Sequence, residues 1–383
     1  MAEWKKTTLE KCTDILGDGL HGTPKYTEGG EYAFINGNNL VNGEILIKKD
    51  TKRVDYSQYE KYKKPLTNRT LLVSINGTLG NVGMYNLEKI ILGKSACYFN
   101  VKEFVDKDFI YYVVSSPIFR QYLEHSATGT TIKNISLKQM REYDFLLPPI
   151  EEQKQISSVL KMIDEKIKNN RRVNENLEQQ AQAIFKSWFI DFDPFGNQKP
   201  SDWSVSTLGN VSAMGAGGDK PQTVSQIKTD LCQYPIYSNG LSEEGLYGFT
   251  DKPKIFEESV TVSARGTIGF VCLRHIPYVP IVRLITLIPK TEIVSAKYLY
   301  LWLKQLHIAG TGTTQQQLTV PDFRKTEILV PVQEIMTLFT TTVEPIFKKI
   351  WTNQSENEKL ASLRDTLLPK LMSGELDVST IDF

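Results

Sequence analysis

The chain has 383 residues, 40% hydrophobic and 23% charged, an ordinary globular composition with room for two to three domains. Its 45 basic and 44 acidic residues leave a net charge of +1, which excludes coating of nucleic acid by bulk positive charge and confines any such contact to local patches. The polar start and the want of a long apolar run predict a cytoplasmic chain that does not enter a membrane, and four scattered cysteines with four scattered histidines suit neither a disulfide framework nor a metal site.

Taken in chain order, Trp4-Lys5-Lys6-Thr7-Thr8-Leu9 comes first and returns as Trp203-Ser204-Val205-Ser206-Thr207-Leu208, an offset of 199. The densest basic segment follows: Lys48, Lys49, Lys52, Arg53, Lys61, Lys63, Lys64 and Arg69, interleaved with Tyr56, Tyr59 and Tyr62. It is a candidate track for a phosphate backbone, with a solvated charged face as the plain alternative. Leu71 to Ile75 is a β-branched and apolar run entering a glycine-bounded turn and a further apolar segment, which predicts strand, turn and strand. That turn, Ser74 to Val82, returns as Ser263 to Val271, an offset of 189. Phe109 to Leu123 has helical spacing behind Asp106 as N-cap, and so does Ala296 to His307 behind Ser295. Thr128-Gly129-Thr130-Thr131 returns as Thr311-Gly312-Thr313-Thr314, an offset of 183. The same order of segments in both halves is an internal duplication, and the shrinking offset places the deletions of the second copy in loops, where they cost least. Each copy is predicted to be a mixed α/β (α+β) unit.

After each copy a proline marker, Leu147-Pro148-Pro149 or Val330-Pro331, precedes a long stretch with almost no glycine or proline. The first carries a seam at Ile156, Leu160, Ile163, Ile167, Asn170, Asn174, Leu177, Ala181, Ile184 and Trp188, alternating steps of four and three as coiled-coil core positions do. The second, from Phe339 to Leu371, repeats it at an offset of 183, so that Asn353 and Asn357 match Asn170 and Asn174. Asparagines in an apolar seam penalise every register that leaves their amides alone. If the helices run antiparallel about a two-fold axis, Asn170 faces Asn357 and Asn174 faces Asn353. About 35 helical residues at about 1.5 Å each make a spacer of about 50 Å, against about 34 to 36 Å for a turn of B-DNA, which suits a ruler for bipartite recognition; a plain dimerisation or scaffolding coil is the alternative.

No catalytic residue and no metal ligand set emerges. The sole double proline lacks the polar and aromatic neighbours of an amine methyltransferase motif, no phosphate-binding GxxxxGK[ST] loop is present, and Asp191-Phe192-Asp193-Pro194 reads as a turn. The candidates for DNA contact are loops that share a frame but differ in side chains. Asn76-Gly77-Thr78 becomes Arg265-Gly266-Thr267, and asparagine suits adenine where arginine suits guanine. Thr128, Thr130, Thr131 and Lys133 in one copy correspond to Thr311, Thr313, Thr314, Gln315 and Gln317 in the other, hydroxyls and amides suited to phosphates and base edges. With these go Lys48 and Lys52 of the basic segment.

Two helix-end sequences, Gln180-Ala181-Gln182-Ala183-Ile184-Phe185-Lys186-Ser187-Trp188-Phe189-Ile190-Asp191-Phe192 and Leu363 to Leu376, with the entrance Leu147-Pro148-Pro149-Ile150-Glu151-Glu152-Gln153, make the chain resemble the specificity subunit of type I restriction-modification systems over nearly its whole length. The resemblance implies a target recognition domain at residues 1–149, a conserved helix at 150–190, a linker at 191–202, a second recognition domain at 203–331, a second helix at 332–376 and a tail at 377–383, with the helices packed antiparallel. It also implies a non-catalytic subunit that reads a bipartite double-stranded DNA target. Two modification (methyltransferase) subunits would bring S-adenosylmethionine, and restriction subunits would bring ATP- and Mg-dependent translocation and cleavage, leaving this chain without a cofactor. Phe189 and Trp351 are expected as apolar anchors for those partners on the outer helix faces, with core packing as the rival role. The alternative function is a coiled-coil adaptor with two protein-binding domains.

Overall fold

The computed structural model describes residues 4–129, 132–310 and 317–378. The chain forms two compact units, Met1–Asn170 with Ser355–Phe383, and Arg171–Gln354. Each contains one copy of the repeat together with parts of both long helices.

In the first unit a four-stranded antiparallel sheet takes the order Thr13–Asp18, Ala96–Val101, Thr70–Ser74, Val82–Met84. The second unit repeats it as Ser212–Ala216, Ile285–Pro289, Ser259–Val262, Val271–Arg274. Leu71, Leu72 and Val73 are wholly buried, as are Val260 and Val262, which is why these runs read as continuous apolar strands without alternation. Each unit adds a two-stranded ribbon, Lys5–Thr8 with Asp144–Leu147 and Ser204–Thr207 with Glu327–Val330. Each also adds a small mixed sheet, centred on Tyr32–Ile35 in the first unit and on Tyr234–Tyr237 in the second. Among the described residues the first unit alone carries the hairpin Leu40–Val41 with Glu44–Ile45 and the helix Tyr56–Tyr62, extra length behind the fall in offset from 199 to 189.

The helix expected over Phe109 to Leu123 is two helices, Lys107–Ser115 and Pro117–Ser126. Apolar spacing continues through the break, but Pro117 has no N–H to continue the first helix and instead occupies the opening turn of the second, where Ser116 caps Phe119 N. In the second unit the single helix Ala296–Gln305 starts at Ser295, which accepts from Tyr298 N at 3.2 Å.

The long helices are Ile150–Phe189 and Gln333–Ser373. Gln153, in the entrance of the first, is buried with both ends of its amide engaged: it accepts from Asp106 N at 2.9 Å and donates to Pro148 O at 2.7 Å. Within the first unit Asn170 Nδ2 donates to Asn357 Oδ1 at 3.0 Å and Arg364 pairs with Asp164 at 2.8 Å, so the two helix segments run antiparallel. Within the second, Asn353 Nδ2 donates to Asn174 Oδ1 at 2.8 Å in the same sense. These are the partners that the two-fold argument assigns. Each long helix is also tied to the shorter helix of its own unit through ion pairs of opposite polarity at matching positions: Lys161 with Asp108 of Lys107–Ser115 at 2.9 Å, and Glu344 with Lys297 of Ala296–Gln305 at 2.9 Å.

Phe189 is not an outward anchor. It is 1% exposed, with ring centroids 4.9 Å from Tyr298, 4.9 Å from Phe339 and 5.5 Å from Trp203. The last turns of its helix present Phe185 and Phe189, one turn apart, to Trp203 and to the helix Ala296–Gln305 of the second unit, so the helix end belongs to that unit's core. Trp351 is half-buried and already has a partner within the unit: it stacks on His275 at 4.2 Å with 13° between the rings, and the Lys297 ammonium lies 5.2 Å from its centroid. Burial, with Lys297 and Arg274 nearby, lowers the His275 pKa to about 4, so the imidazole in this stack is neutral at pH 7. Trp188 packs on the seam against Phe339 at 5.9 Å.

Candidate nucleic-acid interface

The strand-to-strand turn has one backbone frame in both units. In the first, Gly80 N donates to Ser74 O at 2.9 Å and Ser74 N to Asn81 O at 2.8 Å; in the second, Gly269 N donates to Ser263 O at 2.9 Å and Ser263 N to Phe270 O at 2.9 Å. Gly77 and Gly80 have φ of +76° and +78°, and Gly266 and Gly269 of +68° and +83°, which is why the glycines recur. A Cβ at Gly77 or Gly266 would meet nothing within 4 Å, so the tip is open on that side, and Thr78 and Thr267 beside it are exposed.

The loop after each helical segment returns to this tip. Thr128 and Asn134 exchange two backbone hydrogen bonds of 2.9 Å, Gly77 N donates to Lys133 O at 3.1 Å, and Ile135 N donates to Ile75 O at 2.9 Å. In the second unit Leu318 N donates to Ala264 O at 3.0 Å, the equivalent bond. Side chains then pair across the gap: Asn76 Nδ2 donates to Asn134 Oδ1 at 3.1 Å, and Arg265 Nη2 donates to Gln317 Oε1 at 3.1 Å. Thus Asn76, Gly77, Thr78, Thr128 and Lys133 come together in one unit, and Arg265, Gly266, Thr267 and Gln317 in the other. Thr130, Thr131, Thr311, Thr313, Thr314 and Gln315 lie outside the described residues.

The basic segment does not form one continuous track. Arg69 spends its guanidinium on the carbonyls of Val101, Lys102 and Val105, at 2.7, 2.8 and 2.6 Å, and Arg53 reaches the carbonyl of Gly30 at 3.3 Å. Tyr59 stacks on Tyr32 at 4.0 Å and Lys63 pairs with Glu60 at 2.9 Å. Lys48 and Lys52 remain exposed. A count of positive residues cannot tell a guanidinium tied to backbone carbonyls from one offered to a phosphate.

Two basic positions beside the tips were missed. Lys94, in the turn before Ala96–Val101, and Arg283, in the turn before Ile285–Pro289, are both exposed and differ by the same offset of 189 as the tip turns, a signal present in the sequence. The turn at Val282 and Arg283 holds two non-glycine residues at φ of +52° and +60°, an uncommon conformation for a β-branched residue. Asn239 ties it to the strand-to-strand turn, donating to Val282 O and accepting from Ala264 N, each at 2.7 Å. In the first unit Asn36 accepts from Ser95 Oγ at 3.0 Å, and Ile75 N donates to Ser95 O at 2.9 Å. Each tip therefore joins a polar pair to a neighbouring cation.

The four cysteines are buried, and among the described residues no group of three or more metal-ligating side chains occurs. No helix among them is long and apolar enough to cross a membrane. On the helix pair of the first unit, Val159, Met162, Ile163, Leu360, Leu363 and Leu367 line an apolar groove in which Met162 and Leu363 are 46% and 48% exposed.

A family profile described as the type I restriction modification DNA specificity domain matches residues 1–179 and again 200–362. The chain is 26% identical to the type I restriction enzyme MjaIX specificity subunit of Methanocaldococcus jannaschii, covering 99% of this chain and 95% of that one. It is also 26% identical to the HindI specificity subunit of Haemophilus influenzae, covering 70% and 77%. Among solved structures, the crystal structure of the type I restriction-modification S subunit from M. genitalium shares the fold with a TM-score of 0.57 at 21% identity, over 97% of this chain and 96% of that chain.

Proposed function

Because the chain belongs to the type I restriction-modification DNA specificity family, we propose that it selects a bipartite duplex target, with one half-site read at the tip of each unit. The observation that carries this is the pair of tips: one backbone frame, used twice, with an asparagine pair in one copy and an arginine–glutamine pair in the other. Two scaffolds alike with readers unlike suit a target whose halves differ. Phosphate contacts through Lys94, Arg283, Lys48, Lys52 and the threonine hydroxyls set position, while the paired side chains read base edges.

The chain supplies recognition, and the chemistry belongs to partners. Two modification subunits carrying S-adenosylmethionine would seat on the helices, with the apolar groove at Met162 and Leu363 as one seat. Restriction subunits would add ATP, Mg and cleavage. A coiled-coil adaptor with two protein-binding domains would have no reason to vary a base-reading pair on a fixed frame.

The test is Arg265→Ala, assayed on duplexes altered in one half-site at a time. The expected cost is about 1 to 3 kcal/mol, confined to one half-site. Equal weakening on specific and random duplexes would remove Arg265 from base reading. A second test concerns spacing, since the helix Ile150–Phe189 is the covalent link between the two recognition domains. One heptad inserted in each long helix keeps the seam in phase and adds about 10 Å, so the preferred gap should grow by about three base pairs while both half-sites keep their sequences. A gap that stays the same removes the ruler.

A further inference from the structure

At each tip the turn residue is paired with a residue of the returning loop. Asn134 and Gln317 occupy equivalent places, at an offset of 183, and each accepts a hydrogen bond of 3.1 Å from the variable turn residue opposite, Asn76 or Arg265. The backbone fixes both members of each pair: Ile135 N bonds Ile75 O, and Leu318 N bonds Ala264 O, immediately beside the paired side chains. An arginine side chain alone has many rotamers to lose on binding, and one held by a glutamine carbonyl has surrendered part of that freedom beforehand.

The two pairs also differ in what they can present. A guanidinium carries only donors, so with Gln317 Oε1 accepting from Nη2 the second tip addresses a base edge made of acceptors. The major-groove edge of guanine, with O6 and N7, is such an edge. An amide pair keeps a carbonyl acceptor as well as N–H donors, the complement of the adenine edge with its N6 amino group and N7. We propose that Asn134 and Gln317 are specificity-determining residues acting with Asn76 and Arg265. The first tip then selects adenine and the second guanine at one position of their respective half-sites. This rests on the reading of the chain as a bipartite DNA specificity subunit.

The experiment maps methylated positions genome-wide in cells carrying the full chain with the modification subunits of its own system. In wild-type cells a bipartite motif is required; its absence would sink the functional reading itself and leave the pairs without a subject. The double variant Arg265→Asn with Gln317→Asn transplants the first tip's pair into the second unit. It should change guanine to adenine at one position of one half-site and leave the other half-site as it was. The reciprocal variant, Asn76→Arg with Asn134→Gln, should change adenine to guanine in the other half-site. Gln317→Leu alone should lower the preference for guanine about ten- to hundredfold, and Gln317→Glu, which keeps an acceptor for Arg265, should retain it. An unchanged motif in both double variants overturns the proposal. So does loss of all methylation by variants that melt like wild type, and so does failure to fold, because the proposal gives these exposed and half-buried side chains no part in a core.

Discussion

Phe189→Ala lowers the stability of the second unit by about 3 to 5 kcal/mol, the range for deleting a buried aromatic ring without filling the space. Phe189 sits among Phe185, Trp203, Tyr298 and Phe339, whose ring centroids lie 4.9 to 5.5 Å from its own and whose planes are inclined to it by 42° to 89°. The residues on the far side of that space come from the recognition domain and from the other long helix, so collapse would have to move two elements at once. Unfolding of the full chain by denaturant, followed through the tryptophans, should show a transition moved to lower midpoint. Ile190→Ala, one residue on and 44% exposed, is the control and should be close to neutral. A chain with Phe189→Ala that unfolds like wild type yet fails to assemble with its partners would restore the ring to the role of docking anchor.

That ring also marks where sequence reading stops. The duplication, the paired strands about a glycine frame and the seam were legible because each rests on spacing, and spacing is set by the backbone. Asn170 and Asn174 stood out because an amide in an apolar seam conflicts with its surroundings unless a partner is supplied, and two-fold symmetry leaves one choice of partner. Phe189 did not, because a helix end with apolar residues on two faces says that both faces are covered without saying by what. The seam faces the other helix; the second face meets Trp203 and the helix Ala296–Gln305 of its own unit. At Pro117 two signals conflict: Ser-Pro is a helix-start signal, and the amphipathic period running through it conceals the break. The pairs Asn76 with Asn134 and Arg265 with Gln317 needed coordinates, since their members lie 58 and 52 residues apart and only the return of the loop brings them together.

The seam asparagines should behave unequally. Asn174→Leu destabilises the second unit by about 1 to 3 kcal/mol, because it strands Asn353, which is 1% exposed and donates to Asn174 Oδ1 at 2.8 Å. Asn353→Leu costs less. Its Oδ1 has no hydrogen-bond partner, so the substitution removes an unpaired buried carbonyl, and Asn174, half-buried, keeps its bond to Ile350 O at 3.2 Å. The double variant with leucine at both positions should recover most of the loss, as replacing both partners of a buried polar pair by apolar groups often does. A double-mutant cycle on the full chain, read by denaturant midpoint, measures this, and a favourable coupling of at least about 0.5 kcal/mol between the two asparagines is expected. That recovery comes with lost selectivity of register: a leucine layer accepts a neighbouring layer as readily as its own, whereas an amide does not. A cycle with no coupling would mean that water satisfies both amides, and the register would then have to be fixed by the apolar layers and by the Arg364–Asp164 ion pair instead.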